Sequence, residues 1–510
     1  MSVLTEIVKA NDVRGLVGVQ LNERVVRAFG SAFARAVLIP APEVSHPEVS
    51  PPDDAPSARP FGRVIIGHDM RDSSPVLVEA FAAGVTAEGA DVVLIGLCST
   101  DGLYYASGAL DAPGVMFTAS HNPASYNGMK MCRAGARPIG LNSGLGQIRD
   151  LAQALLDDPA WDGPQWPESA LKGSVSHQDT LLGYAEHLRG LVPLPSKRTL
   201  RIVVDAGNGM GGLTVPAVLG AAAGLAGLPL EIVPMYFELD GTFPNHEANP
   251  LDPANLRDLQ KAVPLHGGDL GLAFDGDADR CFVIDERGEP VSPSAVTALV
   301  AAREIEKEKA AGRHPTVIHN LITSRTVPEV IAEHGASAIR TRVGHAFIKV
   351  EMAKANAVFG GEHSAHYYFR DFWFADTGML AALHVLAALG EQDGPLSALV
   401  AEYERYVASG EINSVVDDVA ATTAVVAAAF RDRPGVVLDT LDGLTISHEA
   451  DAPVGPTSPA GLWWFNLRGS NTEPLLRLNA EASDPEVMVQ IRDEVLGLVR
   501  VAPVALDGPR

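Results

Sequence analysis

The run LGLAFDGDADR, residues 270–280, sets a short apolar segment directly against three aspartates at alternate positions, Asp275, Asp277 and Asp279. It reads as a buried strand that ends in a polar loop. Two other stretches repeat the arrangement, GVMFTASHNP at 114–123 and AVFGGEHSAH at 357–366. Each of the three follows an earlier β-rich run: RVIIGHDMR (63–71), RIVVDAGNG (201–209) and TVIHNLITSR (316–325). Helical patterns lie between. Strands alternating with helices imply units built on a parallel sheet. In such sheets ligands gather beyond the carboxyl ends of the strands. Three reactive-looking loops therefore hold equivalent places in three similar mixed α/β units. The C-terminal part differs: GLWWFNLRGSNTEPLLRLNAEA (461–482) reads as strand, loop and strand, and DPEVMVQIRDEVLGLVR (484–500) as a helix. A smaller α+β domain is expected there.

The length, 510 residues, suggests roughly three or four domains. The net charge of −24 argues against nucleic acid and anionic membrane as partners, since both need a basic face. A local basic pocket for an anionic substrate is still compatible with it. Cys98, Cys132 and Cys281 lie far apart without a CxxC pair, which points to a reduced, cytoplasmic compartment. The start, MSVLTEIVKANDVRG, lacks a signal-peptide core, and no run of about 18 apolar residues suggests a membrane span. The Pro-, Ser- and acid-rich segment at 40–60 reads as a mobile loop between a helix over 22–38 and the strand RVIIG.

Three carboxylates as close as those of DGDADR need a cation to stay ionised together. An all-oxygen set suits one hard ion such as Mg²⁺. An EF-hand is excluded because Arg280 stands where that loop needs glycine and a strand precedes it. The bland alternative is a solvated acidic turn. Mg²⁺ commonly shares a phosphate oxygen, which bears on Ser120 in TASHNP. That serine is either a nucleophile served by His121, a phosphate carrier, or an ordinary turn serine. GxSxG is absent, and His121, adjacent in sequence, is expected to be poorly placed to take the Ser120 proton. In GGEHSAHYYF, Glu362 and Ser364 suit vicinal sugar hydroxyls, and His366 is a proton carrier near neutral pH. Zinc is disfavoured because the helical HExxH order is missing. In RGSNTEP, Arg468, Ser470, Asn471 and Thr472 offer a dense donor set for a phosphate dianion. DAGNGMGG (205–212) is a weak dinucleotide-like loop, and GxxxxGK[ST] is absent.

With these loops in place, the chain resembles the α-D-phosphohexomutase family over nearly its whole length, most closely bacterial phosphomannomutases and phosphoglucomutases. TASHNP resembles the phosphoserine loop, DGDADR the Mg²⁺ loop, GEHSAH the sugar-recognition loop and RGSNTEP the phosphate loop of the last domain. The resemblance implies a catalytic phosphate on Ser120, with Arg14 of KANDVRG and Lys130 of NGMK beside it. It brings His345 and Lys349 of VGHAFIK toward the substrate, and Arg280 is expected there too. Departures are Asn11 in place of an aromatic, Ala365 in place of glycine, and GLCSTDG (96–102) without the two usual prolines. The implied fold is four domains around a central cleft. These divide as 1–165 with the phosphoserine, 166–287 with the metal, 288–405 for sugar recognition and 406–510 for phosphate.

The implied activity is relocation of phosphate between C1 and C6 of a hexose phosphate through a hexose 1,6-bisphosphate. Ser120, Arg14, Lys130 and His366 would serve as catalytic residues, with mannose phosphate as substrate and glucose phosphate also accepted. Phosphoglucomutase and phosphoglucosamine mutase are the alternatives within the family. Outside it stand a serine hydrolase or phosphatase and a non-catalytic sugar-phosphate binder.

Overall fold

The computed structural model describes residues 3–38, 62–161, 172–195, 197–451, 459–469 and 475–500, apart from the side chains of 160, 345 and 346. The segment read as a loop at 40–60 lies outside them, as do Ser470, Asn471 and Thr472. Described residues up to 291, together with 364–397, form one compact unit; those of 292–363 and from 398 onward form another. Among the described residues no helix is long and apolar enough to cross a membrane.

In the first unit RVIIGH forms the strand Arg63–His68, whose four central residues are all buried. It runs parallel to Asp91–Leu97 on one side and Gly114–Phe117 on the other. Tyr126–Arg133 returns antiparallel to Gly114–Phe117, so the TASHNP loop joins a strand to its own neighbour. Asn22 caps the expected first helix through the backbone N–H of Val25, and that helix covers Glu23–Phe33 before a π turn at Ala34–Leu38. It packs with Ser74–Ala87 over the sheet, and Phe81 meets Phe117 edge to face at 5.7 Å.

The second sheet of this unit orders Pro290–Val291, Cys281–Asp285, Leu270–Phe274, Leu200–Asp205 and Leu230–Met235. LGLAF is buried at every residue and pairs antiparallel with Cys281–Asp285, so the aspartates occupy a hairpin loop and no helix precedes or follows them as an EF-hand requires. Residues 364–397, which the sequence reading grouped with 288–405, pack with this unit. The reason is the helix Gly378–Gly390: all of its residues are buried, and its first glycine stands so close to the Arg280 and Cys281 backbone that no Cβ fits. A helix apolar on nearly every face, His384 being its one ionisable residue, must be enclosed on every side.

A buried polar knot sits under the same helix. Asp101, fully buried, accepts hydrogen bonds from Ser99 Oγ, from Tyr184 OH at 2.7 Å and from Thr377 Oγ1 at 2.7 Å. Burial raises its carboxyl from 3.8 to about 6 despite those donors. Between these values the folded chain holds a proton that the unfolded chain has released. The stabilisation is therefore full below about pH 4 and is lost as pH rises through about 6. Asp101→Asn is expected to flatten that slope, by roughly 2 kcal/mol between pH 4.5 and 7.5. Parallel thermal melts of both chains across the window check it.

In the second unit Thr316–Asn320 lies parallel to Ser337–Thr341 and Phe359–Gly361. The C-terminal part is an antiparallel sheet of Val436–Asp439, Leu444–His448, Trp463–Gly469 and Leu475–Ala482, with Ile412–Val415 and Val407–Ala408 against the last strand. Phe430 of the helix Val419–Phe430 packs on Trp463 and Phe465. The two strands flanking RGSNTEP pair with each other, Arg468 opposite Arg477.

Candidate active site

Two hairpin loops of the first unit meet at Ser120. Its backbone is left-handed, φ 50°, which a non-glycine residue adopts only when its surroundings hold it there. Thr118 Oγ1 accepts the Ser120 N–H at 2.8 Å. Gly276 of the aspartate loop presses on the Ser120 carbonyl so closely that no side chain could stand there. Ser120 Oγ then donates to Asp275 Oδ2 at 3.0 Å, across 155 residues of chain.

The expectation about His121 is corrected. Its Nδ1 lies 3.2 Å from Ser120 Oγ, because the left-handed backbone folds neighbouring side chains toward each other. It is still a poor base. Arg280 Nη2 donates to the same nitrogen at 2.8 Å, and burial together with Arg280 and Arg14 pushes its pKa well below the usual histidine value.

Asp275, Asp277 and Asp279 are at most 1% exposed, and one oxygen from each lies within 4.8 Å of the others. Burial raises Asp275 to about 7; Arg280 opposes that rise and the neighbouring aspartates add to it. Burial pushes Asp277 the same way, but Lys130 and Thr100 overcome it and hold its carboxyl well below the usual range. Lys130 Nζ bridges Asp277 Oδ2 at 2.7 Å and Asp279 Oδ2 at 2.5 Å, and those carboxylates raise its pKa against the effect of burial. Asp277 Oδ1 and Asp279 Oδ1 are buried without a hydrogen-bond partner. Orphaned anionic oxygens of this kind fit a hard divalent cation.

The other expected residues divide between the two units. Arg14 donates to Asn122 Oδ1 at 2.5 Å, to the Ala119 carbonyl at 3.3 Å and to Asp12 at 2.7 Å, which puts it against the TASHNP loop. Ser364 Oγ lies 3.0 Å from His366 Nδ1, and His366 Nε2 faces Asp279 Oδ1 at 3.9 Å. Arg280, expected on the substrate, is 2% exposed and donates through Nε and Nη2 to Asp275 at 2.9 and 2.8 Å. In the second unit Glu362 accepts from Asn320 Nδ2 at 3.1 Å and from the Gly344 N–H at 3.2 Å. Lys349 is buried on the helix His345–Ala355, and the His345 side chain lies outside the described residues. Arg468 pairs with Glu411 at 3.2 Å.

Two residues escaped the sequence reading. Thr100 gives its hydroxyl to Asp277 Oδ2 at 2.5 Å and its N–H to the Asp277 carbonyl at 3.0 Å. Its only signal was its place in GLCSTDG, noted as a departure. Arg71, at the end of RVIIGHDMR, reaches the backbone of the TASHNP loop.

A buried serine facing a cation-ready carboxylate trio, on α/β domains with a smaller C-terminal domain, is an arrangement suited to phosphoryl transfer. The chain belongs to the phosphoglucomutase/phosphomannomutase family. Models of its α/β/α domains I, II and III match residues 55–154, 183–288 and 293–406, and that of its C-terminal domain matches 411–498. A protein of Xanthomonas campestris pv. campestris named phosphohexose mutases is 38% identical over 96% of this chain and 98% of its own. A phosphomannomutase of Salmonella typhimurium is 36% identical over 96% and 97%. A solved phosphoglucomutase/phosphomannomutase family protein from Burkholderia thailandensis superposes with TM-score 0.79 at 26% identity, covering 98% of both chains. The protein is a phosphohexomutase, of the isomerase class.

Proposed function

We propose that this chain interconverts mannose 1-phosphate and mannose 6-phosphate through a phosphate carried on Ser120, and that it also accepts glucose phosphates. The observation that carries the reading is Ser120 Oγ at 3.0 Å from Asp275, beside two buried carboxylate oxygens without hydrogen-bond partners. The phosphomannomutase names of relatives at 34–36% identity favour mannose.

In this reading the P–Oγ bond of phosphoserine breaks as a bond forms to the free C6 or C1 hydroxyl of the sugar. The hexose 1,6-bisphosphate turns round, and its other phosphate returns to Ser120. Asp275, Asp277 and Asp279 would hold a Mg²⁺ ion, which when bound would supply charge neutralisation for the phosphoryl group. Arg14, fixed by Asp12 and Asn122, adds a second positive charge at the loop. The hydroxyl proton passes to His366, whose Nδ1 lies against Ser364 and whose Nε2 faces Asp279, and the departing Ser120 oxygen takes a proton from Lys130. Lys130, kept protonated by two aspartates, offsets charge on the transferring oxygens. Glu362 and Ser364 hold sugar hydroxyls in both orientations, and Arg468 with Ser470, Asn471 and Thr472 holds the phosphate that is not reacting. A serine hydrolase fits poorly, because the one imidazole within reach of Ser120 among the described residues already accepts from Arg280.

Side-by-side rates on mannose, glucose and glucosamine 1-phosphates test the assignment. The expected order places mannose and glucose within about tenfold of each other and glucosamine at least about 100-fold below. A preference of more than about tenfold for glucose or glucosamine would replace the mannose reading with that of the favoured sugar.

A further inference from the structure

We propose that Arg71 is a positioning residue that sets the phosphate-carrying geometry of Ser120, and that Phe243 and Gly241 of the second α/β domain lock it in place. The inference rests on the phosphoserine reading above and extends it.

Arg71 is 2% exposed, so it cannot touch a substrate. Its guanidinium nevertheless gathers four carbonyls of one loop. Nη2 donates to Ser120 O at 2.9 Å and Asn122 O at 2.6 Å; Nη1 donates to Pro123 O at 2.9 Å and Tyr126 O at 3.0 Å. Nε completes the set on Asp69 Oδ2 at 3.1 Å, and Asp69 Oδ1 is itself held by Ser74 Oγ at 2.7 Å and the Arg71 N–H at 3.0 Å. Every N–H of the fork is used. Carbonyls from positions 120 to 126 can converge on one planar cation only if the chain curls around it. The φ of 50° at Ser120 belongs to that curl, and it directs Oγ at Asp275. Charge-assisted bonds to a fixed fork are what can hold a non-glycine residue in this conformation.

The far face of Arg71 is closed from the second α/β domain. The Phe243 ring lies 5.1 Å from the guanidinium carbon, and a Cβ on Gly241 would stand 2.7 Å from Arg71 Cα, so only glycine lets that turn seat. The aspartate loop belongs to the same domain, and its Gly276 presses the Ser120 carbonyl from the other side. One domain therefore supplies both the trio that faces Ser120 Oγ and the lock on the arginine that aims it. Lysine cannot substitute: one ammonium offers three donors from a point and cannot span four carbonyls.

The test compares the full wild-type chain with Arg71→Lys, Arg71→Ala and Phe243→Leu. Three readouts are used: steady-state kinetics on mannose 1-phosphate, intact mass after incubation with hexose 1,6-bisphosphate, and a thermal melt. Arg71→Lys is expected to lower kcat about 100-fold with KM within about threefold, because the sugar contacts are untouched. Arg71→Ala is expected to behave alike and to regain at least about tenfold with added guanidinium, which a general loss of structure would not allow. Phe243→Leu, which keeps every hydrogen bond of the fork, is expected to lose about tenfold in kcat alone. An Arg71→Lys chain with kcat within about threefold of wild type overturns the inference, as does a kcat loss that guanidinium leaves unchanged beside an unaffected Phe243→Leu. A wild-type chain that never gains the mass of a phosphoryl group overturns the parent reading and this inference with it.

Discussion

Ser120→Ala is expected to lower conversion of mannose 1-phosphate to mannose 6-phosphate by at least about four orders of magnitude while the chain stays folded. The substitution removes the oxygen proposed to accept phosphate and leaves the Arg71 clamp, which holds the backbone carbonyl and not the side chain. What is lost in the ground state is the hydrogen bond to Asp275 and the contact with His121 Nδ1, together worth only about 1–3 kcal/mol. The effect therefore belongs to the chemistry. A coupled assay with a trace of hexose 1,6-bisphosphate measures the rate. Intact mass reports whether wild type carries one phosphoryl group that the variant cannot. Turnover within about tenfold of wild type would remove Ser120 from the reaction.

The second large effect is expected at Asp277. Its carboxylate receives Lys130 and Thr100 on Oδ2 and keeps Oδ1 without a partner. Asp277→Ala takes away a proposed cation ligand and also one of the two carboxylates that hold Lys130 in place. Mg²⁺ affinity is expected to fall by more than about 100-fold, beyond what loss of an outer-shell partner commonly costs. Activity at fixed Mg²⁺ is expected to fall about 1,000-fold, or roughly 4 kcal/mol. Calorimetric titration with Mg²⁺ reads the first quantity and turnover against Mg²⁺ the second. A wild-type enzyme indifferent to EDTA would refute the metal assignment at once.

Much of this protein was legible in the primary structure because the decisive signals are local. Apolar runs of strand length that stop at clusters of Asp, Ser, His and Asn announce strand-end loops. Their repetition announces like domains. The alternation of Asp275, Asp277 and Asp279 within one hairpin loop placed three carboxylates together before any tertiary contact was known. WWFNLRG and LLRLNAEA likewise became paired strands of the last domain.

Tertiary structure decided what no window of sequence contains. Lys130 reaches the aspartates over 147 and 149 residues, and Arg71 reaches Ser120 over 49. His121 came near Ser120 Oγ only because the backbone there is left-handed, a conformation imposed by partners distant in the chain. Arg280 turned inward to Asp275, and the fully buried helix Gly378–Gly390 took residues 364–397 to the first unit. Periodicity and turn chemistry act over a few residues and leave their mark in composition. The pairing of a buried charge is settled by whichever opposite charge the folded backbone brings within about 3 Å, and sequence carries no record of that distance.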